Sequence, residues 1–345
     1  MTDKFPLLRL PYVALHEVLN HVGHEVILLL SLCSKRSNRL LKLCQGPRKA
    51  INITLNVSTN FLKVDYEPLV TAVCILVVSV SKLQADLKTV KIGSHVVPVE
   101  MKGNILMTYW MDGKEGLKEV IKHTSDVFSR DLYSIEGCGA VSSENARYWL
   151  KWIKTRQDTL PRLSLWSTIA NVDDLLMNIL ESNFVTGDLL LYPTFSSGFR
   201  GPSPRPYSID YLYLHQSKWV TLNHLLAMDI KRITLNDSPL TCQEINTFLK
   251  KWIDGECSKR IKELYVDMGN EVNYNVLIEG IEVNRRRLRL RRDYASYNGV
   301  ERIFGGFDIK RKEDGAVATI VKQPRGILTK LKVVFWPDHK GTQYH

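Results

Sequence analysis

Apolar residues near the start of the chain recur with the period of a helix. Four of them are spaced three, one and three residues apart: Leu15, Val18, Leu19 and Val22. This spacing places them on one face of a helix, which we expect Pro11 to begin and Gly23 to end. The runs at 26–30 and 40–43 predict two further short helices. Three such helices enclose only a small core, so we expect another part of the chain, or another protein, to cover their surplus apolar surface.

After residue 50 the pattern becomes that of strands. Residues 51–57 alternate between apolar and polar, which indicates a half-buried strand. Residues 69–80 are rich in Val and Ile, and 87–99 read as two strands around Gly93-Ser94. A further strand is expected at 105–107, followed by a helix that ends near Phe128.

From residue 132 onward strands and helices alternate. Strands are predicted at 132–135, 163–166, 188–192, 211–214, 232–235 and 262–266. Helices are predicted at 143–155, 171–181, 222–228 and 242–253. The strands recur about every 22–30 residues, which is the unit size of a leucine-rich-repeat-like solenoid. Each unit buries one face only by stacking on its neighbour, so we expect a continuous core.

The end of the chain has a hairpin pattern. Residues 307–311 and 317–321 flank Asp314-Gly315, a strong turn signal. A third strand follows at 331–336. The predicted fold class is therefore α+β or α/β. We expect three N-terminal helices, a leucine-rich-repeat-like βα array and a terminal antiparallel hairpin sheet that closes the array.

The N-terminal segment resembles an F-box over residues 5–45. The resemblance is carried by four short motifs: Phe5-Pro6-Leu7, Leu10-Pro11, Val18-Leu19 and Leu30-Ser31-Leu32-Cys33-Ser34-Lys35-Arg36. Ser37 stands where many F-boxes have an aromatic residue. The resemblance implies binding to the Skp-type adaptor of a cullin-based ubiquitin ligase. The contacts expected with that adaptor come from seven residues: Leu7, Leu10, Pro11, Val18, Leu19, Ile27 and Leu30.

A second resemblance covers the region around residues 205–270. Trp219-Val220-Thr221-Leu222, Ile233 to Ser238 and Asn246 to Trp252 are similar to the type 2 F-box-associated region of the F-box family expanded in nematodes. The tail at 308–320 is similar to the end of the same proteins. The family implies that residues 50–345 recruit a protein substrate for ubiquitination, and it implies no defined ligand and no catalytic residue.

A long loop, residues 195–206, interrupts the repeat pattern with five Gly or Pro residues. Loops of this length inside an array are either binding elements or tolerated insertions. Phe195, Phe199 and Arg200 are candidate target-binding residues, because aromatic and Arg side chains are favoured at interface centres.

The chain has a net charge of +11, and residues 285–292 carry six arginines. This arginine run offers an alternative function, a basic nucleic-acid-binding or scaffold protein. Leucines alternate with arginines there, which is typical of a strand with one charged face. We favour an edge strand whose charges discourage unwanted pairing, so nucleic acid is not the expected partner.

The sequence contains no motif of a known enzyme class and no Cys/His spacing typical of zinc. We therefore expect no enzyme activity, no cofactor and no bound metal. The longest apolar run, at 69–80, is too short to span a bilayer. Six scattered cysteines and the absence of a signal peptide favour the cytoplasm or the nucleus and no membrane partner.

Overall fold

A computed structural model of the chain describes residues 7–44, 51–66, 70–83, 86–137, 142–166, 172–296, 299–322 and 329–336. The chain folds into two compact units, residues 1–160 and 161–345. Two features of the sequence lie outside the described residues: the Phe5-Pro6 start of the N-terminal motif and the break at Gly46-Pro47.

The first unit begins with short helices, as predicted. After a 3-10 turn at Leu7–Arg9 come α1 (Tyr12–His21), α2 (His24–Cys33) and α3 (Lys35–Cys44). Pro11 precedes α1, as predicted, whereas Gly23 does not cap the end of α1 but directly precedes α2, because α1 already ends at His21. The core of the three helices consists of side chains that are at most 2% exposed: Leu15, Leu19, Ile27, Leu28 and Leu41.

A seven-stranded mixed sheet follows. Its strands are β1 (Ile51–Asn56), β2 (Phe61–Tyr66), β3 (Val70–Ser79), β4 (Lys88–Ile92), β5 (His95–Lys102), β6 (Ile105–Trp110) and β7 (Leu132–Glu136). They lie in the order β7-β1-β2-β3-β6-β5-β4. The β1–β7 and β3–β6 pairs are parallel, and the other pairs are antiparallel.

Two helices complete this unit, α4 (Gly113–Phe128) and α5 (Ser143–Lys154). Asp112 caps α4 by accepting from the backbone N–H of Lys114 at 2.8 Å. Trp110 packs directly on this helix, because a Cβ at Gly116 would lie 2.4 Å from its Cγ atom. The buried side of α4 begins at Leu117 and ends at Phe128, as its helical spacing predicts.

Strand β2 is not predicted from the sequence. Its apolar residues Leu62 and Val64 alternate with polar ones, and the strand is short. Asp65 is also buried, and its carboxylate lies 3.1 Å from the ammonium of Lys63. Because this buried residue is acidic and directly follows Val64, the alternation that would identify the strand is limited to Leu62 and Val64.

The second unit is built largely from βα units. Its first strands are β8 (Leu160–Leu165), which starts at the unit boundary, β9 (Val185–Leu191), β10 (Tyr211–Leu214), β11 (Arg232–Leu235) and β12 (Glu263–Asp267). Its helices are α6 (Asp173–Glu181), α7 (Leu222–Ala227), α8 (Cys242–Ile253) and the short α9 (Tyr274–Leu277), which the sequence did not predict. Strands β9 to β12 are parallel neighbours in chain order.

An antiparallel sheet follows the parallel strands. It contains β13 (Asn284–Ser296), β14 (Gly299–Lys310), β15 (Val317–Val321) and β16 (Lys330–Phe335). The last strand, β16, pairs antiparallel with β12, and β15, β14 and β13 follow outward. The predicted terminal hairpin sheet is therefore confirmed, and it adjoins the last parallel strand.

The α+β class is confirmed, with N-terminal helices followed by mixed sheets and helices. Alternating strands and helices occur between residues 132 and 267, where the sequence predicts them. The region at 51–110 forms hairpins instead of repeats. The leucine-rich-repeat-like character of the array stays a prediction.

Candidate functional site

The three N-terminal helices keep apolar side chains on their surface. Tyr12 is 60% exposed, Val13 is 71% exposed and Leu43 is 69% exposed. Tyr12 and Leu43 are neighbours on this surface, since the Tyr12 hydroxyl donates to the Leu43 carbonyl at 3.1 Å. Val18 and Val26 are also exposed. Scattered apolar residues are ordinary on a surface, but several on one small helical group indicate an interaction site.

Burial divides the seven residues predicted to contact an adaptor. Leu19 and Ile27 are fully buried in the core of the helices, so their side chains are not accessible to another protein. Pro11 and Val18 are exposed, whereas Leu7, Leu10 and Leu30 are half-buried. Helical spacing alone does not separate the two roles, because core and contact residues share one apolar stripe.

Helices α2 and α3 are attached to the rest of the first unit through polar contacts. The buried Ser31 hydroxyl donates to the Leu28 carbonyl at 2.6 Å and lies 2.8 Å from Nε2 of His123 on α4. Lys42 on α3 forms an ion pair with Asp126 on α4. Desolvation by burial lowers the pKa of His123 from 6.5 to about 4, so this imidazole is neutral at physiological pH.

Ser37 has a local structural role. Its backbone N–H donates to the Ser34 hydroxyl at 3.0 Å, while the Ser34 N–H donates to the Ser37 hydroxyl at 2.9 Å. These reciprocal bonds satisfy backbone donors at the start of α3. Ser37 is fully buried, so the position that is aromatic in many F-boxes here serves to begin a helix.

The loop at 195–206 is tied to the second unit by aromatic and polar contacts. The rings of Phe195 and Phe199 stack with centroids 4.4 Å apart, and both meet the buried Trp219 edge-on at about 6 Å. Gly201 has φ +67°, and a Cβ there would lie 2.2 Å from Cε3 of Trp219. This packing explains why glycine is needed at that position.

The two phenylalanines are therefore half-buried, not the exposed anchors that the sequence predicts. They pair with each other and with Trp219, so they hold the loop in place. Arg200 is exposed, as predicted. Whether any of the three contacts a target stays a prediction.

The arginine run forms part of β13, the outermost strand of its sheet. Arg292 is buried and makes two bonds to the Asp308 carboxylate, at 3.2 and 3.0 Å. Arg286 donates to the same carboxylate at 2.6 Å. The strand interpretation of this run is confirmed, but two of its arginines belong to an internal ion network, which leaves fewer charges on the surface than the sequence suggests.

A second surface, which we call the tyrosine face, lies on the parallel strands of the second unit. Along β10 to β12 every second side chain is buried: Leu212, Leu214, Ile233, Leu235, Leu264 and Val266. The intervening side chains are half-exposed on the other face: Tyr211, Tyr213, Arg232, Thr234, Glu263 and Tyr265. The alternation Tyr211-Leu212-Tyr213-Leu214 is the sequence signal for this surface, because the residues between the buried leucines must lie on the opposite face.

Aromatic rings continue the tyrosine face toward β8. Trp166, directly after β8, stacks on Tyr192 with ring centroids 4.0 Å apart and planes 11° from parallel. Tyr192 in turn lies 4.8 Å from Tyr213. Trp166 remains 47% exposed. Such rings present a rigid, partly polar surface of the kind that is enriched at protein interfaces.

A cavity of about 260 Å³ opens on the tyrosine face beside these rings. Six of the residues on its wall are Tyr211, Arg232, Thr234, Glu263, Tyr265 and Lys332. Lys332 pairs with Glu263 at 2.8 Å and also with Glu301. Although burial opposes its charge, these carboxylates raise the pKa of Lys332.

Comparison with known families identifies two regions of the chain. Residues 7–49 match the F-box domain, and residues 206–266 match the F-box associated family. The chain carries an F-box and an F-box-associated region. The F-box contains the three N-terminal helices, and the F-box-associated region contains β10, β11 and β12, which carry the centre of the tyrosine face.

Several curated proteins of Caenorhabditis elegans are similar to this chain. The E3 ubiquitin-protein ligase hecw-1 is 24% identical over 75% of this chain and 22% of its own length. The Skn-1 dependent zygotic transcript 15 protein is 26% identical over 44% of this chain and 46% of its own length. The chain thus spans less than half of each of these relatives. No solved structure is significantly similar to it.

No group of three or more His, Cys, Asp or Glu side chains in the described part of the chain is arranged to hold a metal ion. Every described helix is too short or too polar to cross a bilayer.

Proposed function

We propose that the chain is a substrate-recruiting subunit of a Skp-cullin-F-box ubiquitin ligase. In this proposal the F-box binds a Skp-type adaptor and, through it, a cullin. The second unit holds a protein target, and the chain acts in the cytoplasm, the nucleus or both. The relative hecw-1, described as an E3 ubiquitin-protein ligase, lends this assignment support, although the similarity covers only a part of that protein.

The observation that carries the proposal is the exposed apolar surface of the F-box. Leu15 and Leu19 are buried between the helices, whereas Tyr12 and Val13 on the same helix are exposed. At about 25 cal/mol per Å² of apolar area, covering such side chains stabilises a complex. The contact set that we propose consists of the accessible predicted residues Leu7, Leu10, Pro11, Val18 and Leu30, with Tyr12 and Val13 added.

The proposed mechanism is proximity. The chain performs no chemical step, and it has no proposed catalytic residue. Holding a target beside the ubiquitin-loaded conjugating enzyme raises the effective concentration of the target's lysines. Ubiquitin transfer becomes faster, although the chain adds no reacting group.

Adaptor binding tests the proposal directly. The chain is co-expressed with a Skp-type adaptor, and the stoichiometry of the purified complex is measured. We expect a stable complex with the wild-type chain, and a loss of at least about tenfold in affinity for Leu10→Ala/Pro11→Ala and for Val13→Asp. Val96→Asp on β5 is the matched control, because Val96 is 67% exposed and lies outside the F-box.

Unchanged binding in both F-box variants would show that this surface is not the adaptor site. Circular dichroism of each variant establishes that it is folded. An F-box variant that is folded and loses the adaptor, beside a control that keeps it, supports the assignment.

A nucleic-acid-binding function is the second candidate, and the arginine run motivates it. Arg285 and Arg287 are exposed on the outermost strand. However, Arg291 is paired with Asp293, and Arg286 and Arg292 are bound to Asp308. This candidate predicts affinity for RNA or DNA that falls steeply with salt, and a filter-binding assay at low salt without detectable binding would exclude it.

A further inference from the structure

We propose that the tyrosine face is where the recruited protein docks, through an extended segment whose Asn or Gln side chain enters the cavity beside Arg232. This inference rests on the proposed function, because it identifies the surface and the chemistry by which the second unit holds its target.

The Arg232 side chain on the cavity wall has no polar partner in the described part of the chain. Its guanidinium makes no hydrogen bond or ion pair with any described residue, and its Nε atom is buried. A buried donor without a partner costs free energy, so an acceptor oxygen supplied by a ligand is favourable there. Arg232 lies directly opposite Glu263 in the parallel β11–β12 pair, yet the two do not form an ion pair among the described contacts.

The Glu263 carboxylate is bound to Lys332 instead of Arg232. Lys332 binds Oε1 of Glu263 at 2.8 Å and also binds Glu301. Oε2 of Glu263 is buried and has no hydrogen-bond partner in the described part of the chain. The cavity wall therefore carries two positive groups, Arg232 and Lys332, and two carboxylates, those of Glu263 and Glu301. Arg232 can still donate a hydrogen bond to a ligand, and the carboxylates can still accept one.

The charges on the cavity wall determine which ligand group fits there. A carboxylate would pair with Arg232 but would add a negative charge beside Glu263 and Glu301. An ammonium would pair with the carboxylates but would add a positive charge beside Arg232 and Lys332. A carboxamide is neutral and offers both an acceptor oxygen and N–H donors, so it matches the wall without an unbalanced charge.

The aromatic rings of the tyrosine face offer a surface for the rest of the segment. Tyr213, Tyr192 and the exposed Trp166 form a continuous row of rings from β10 to the end of β8. Aromatic surface of this kind binds apolar side chains and stacks on peptide planes with little loss of side-chain entropy. The segment is thus expected to combine one Asn or Gln with an apolar or aromatic residue that packs on Trp166.

A peptide-display experiment tests the inference. A library of random twelve-residue peptides is selected on the full chain bound to its adaptor. We expect enriched peptides to share Asn or Gln at one fixed position. In Glu263→Gln the new amide can still accept from Lys332, but a negative charge is lost, so the preference at that position should change from Asn or Gln to Asp or Glu.

Two variants complete the design. Glu301→Gln removes a charge from a more accessible wall residue and should shift the preference in the same direction, which keeps the test valid if Glu263→Gln fails to fold. Glu271→Gln, an exposed residue that is not among those lining the cavity, is the matched control and should leave the preference unchanged. The best wild-type peptide should bind Glu263→Gln about tenfold more weakly.

The inference fails if no peptide is enriched, if enriched peptides show no preference for Asn or Gln, or if the preference persists in both charge variants. Adaptor binding is measured on the same preparations. A chain that binds its adaptor but selects no such peptide contradicts the tyrosine-face inference alone, whereas loss of the adaptor by the wild-type chain contradicts the proposed function.

Discussion

The Ser31 hydroxyl of α2 lies 2.8 Å from Nε2 of His123 on α4. Because the single hydroxyl hydrogen of Ser31 is donated to the Leu28 carbonyl, the Ser31 oxygen accepts from His123. The imidazole therefore carries a proton on Nε2, and its pKa, which burial lowers to about 4, keeps the ring neutral at pH 7. This contact joins the F-box to the helix that packs on the sheet of the first unit.

The Ser31–His123 contact predicts that the first unit loses stability in mild acid. Burial lowers the pKa of His123 to about 4 in the folded chain, against 6.5 in the unfolded chain. The unfolded state therefore binds the proton first, so the stability is fully present above pH 6.5 and declines as the pH falls toward 4. At pH 5 the loss from this group is about 2 kcal/mol.

Urea denaturation at pH 7 and pH 5 measures this effect. In His123→Gln the same change of pH should cost less, because the titrating group is gone while a hydrogen-bond donor to Ser31 is retained. His16→Gln is the control, since His16 lies on α1 and bonds only locally to Asn20 among the described contacts. An equal loss in wild type and His123→Gln would contradict the prediction.

The second prediction concerns the internal network of the arginine run. Asp308 is 4% exposed and binds Arg292, Arg286 and the hydroxyl of Thr319. Asp308→Asn removes the negative charge and leaves a buried arginine without a counterion, so unfolding should become easier by about 3–5 kcal/mol. Guanidinium denaturation provides the measurement.

Asp293→Asn is the matched control for Asp308→Asn. Asp293 pairs with Arg291 on the surface, where solvent screens the ion pair, so Asp293→Asn should lose much less stability than Asp308→Asn. If the two variants were equally stable, the Asp308 network would not be a determinant of this sheet.

The third prediction concerns Gln157, a buried side chain that serves the backbone of β7. It accepts from the Leu132 N–H at 3.1 Å, and it donates to the carbonyls of Leu132 and Thr159 at 3.0 and 2.7 Å. In Gln157→Leu the side chain has a similar volume but leaves these backbone groups without partners, so we expect the free energy of unfolding to fall by about 2–3 kcal/mol.

The exposed Gln243→Leu is the control for this variant and should change the free energy of unfolding by less than about 0.5 kcal/mol. Thermal denaturation followed by circular dichroism distinguishes the two variants, and similar melting temperatures would be the contrary result.

Sequence patterns predict the regular elements of this chain well where polarity and burial agree. Strand β11 and helix α8 begin and end where predicted, because alternation in one and a capping box in the other mark their ends. In α8, Thr241 accepts from the N–H of Glu244 at 3.2 Å, and the Glu244 carboxylate accepts from the N–H of Thr241 at 2.8 Å. Local chemistry decides such boundaries, so one sequence is sufficient.

Contacts between residues that are far apart in the chain could not be predicted from the sequence. Nothing near Phe195 or Phe199 in the chain indicates that Trp219, about twenty residues later, packs against them. Likewise, the cavity beside Arg232 exists only because β16 brings Lys332 to β12 from the end of the chain. Periodicity identifies the apolar stripe of α1 but does not distinguish the buried Leu19 from the exposed Val18.

The pairing of β16 with β12 has a consequence for biosynthesis. As a ribosome produces this chain, each of β10, β11 and β12 emerges when the parallel strand before it has already been made, but β12 keeps one open edge until β16 has been translated after β13, β14 and β15. During that interval the nascent array offers an unpaired strand edge to any other chain nearby. We therefore expect ribosome-bound intermediates that stop after β12 to require chaperones, whereas those that include β16 should not.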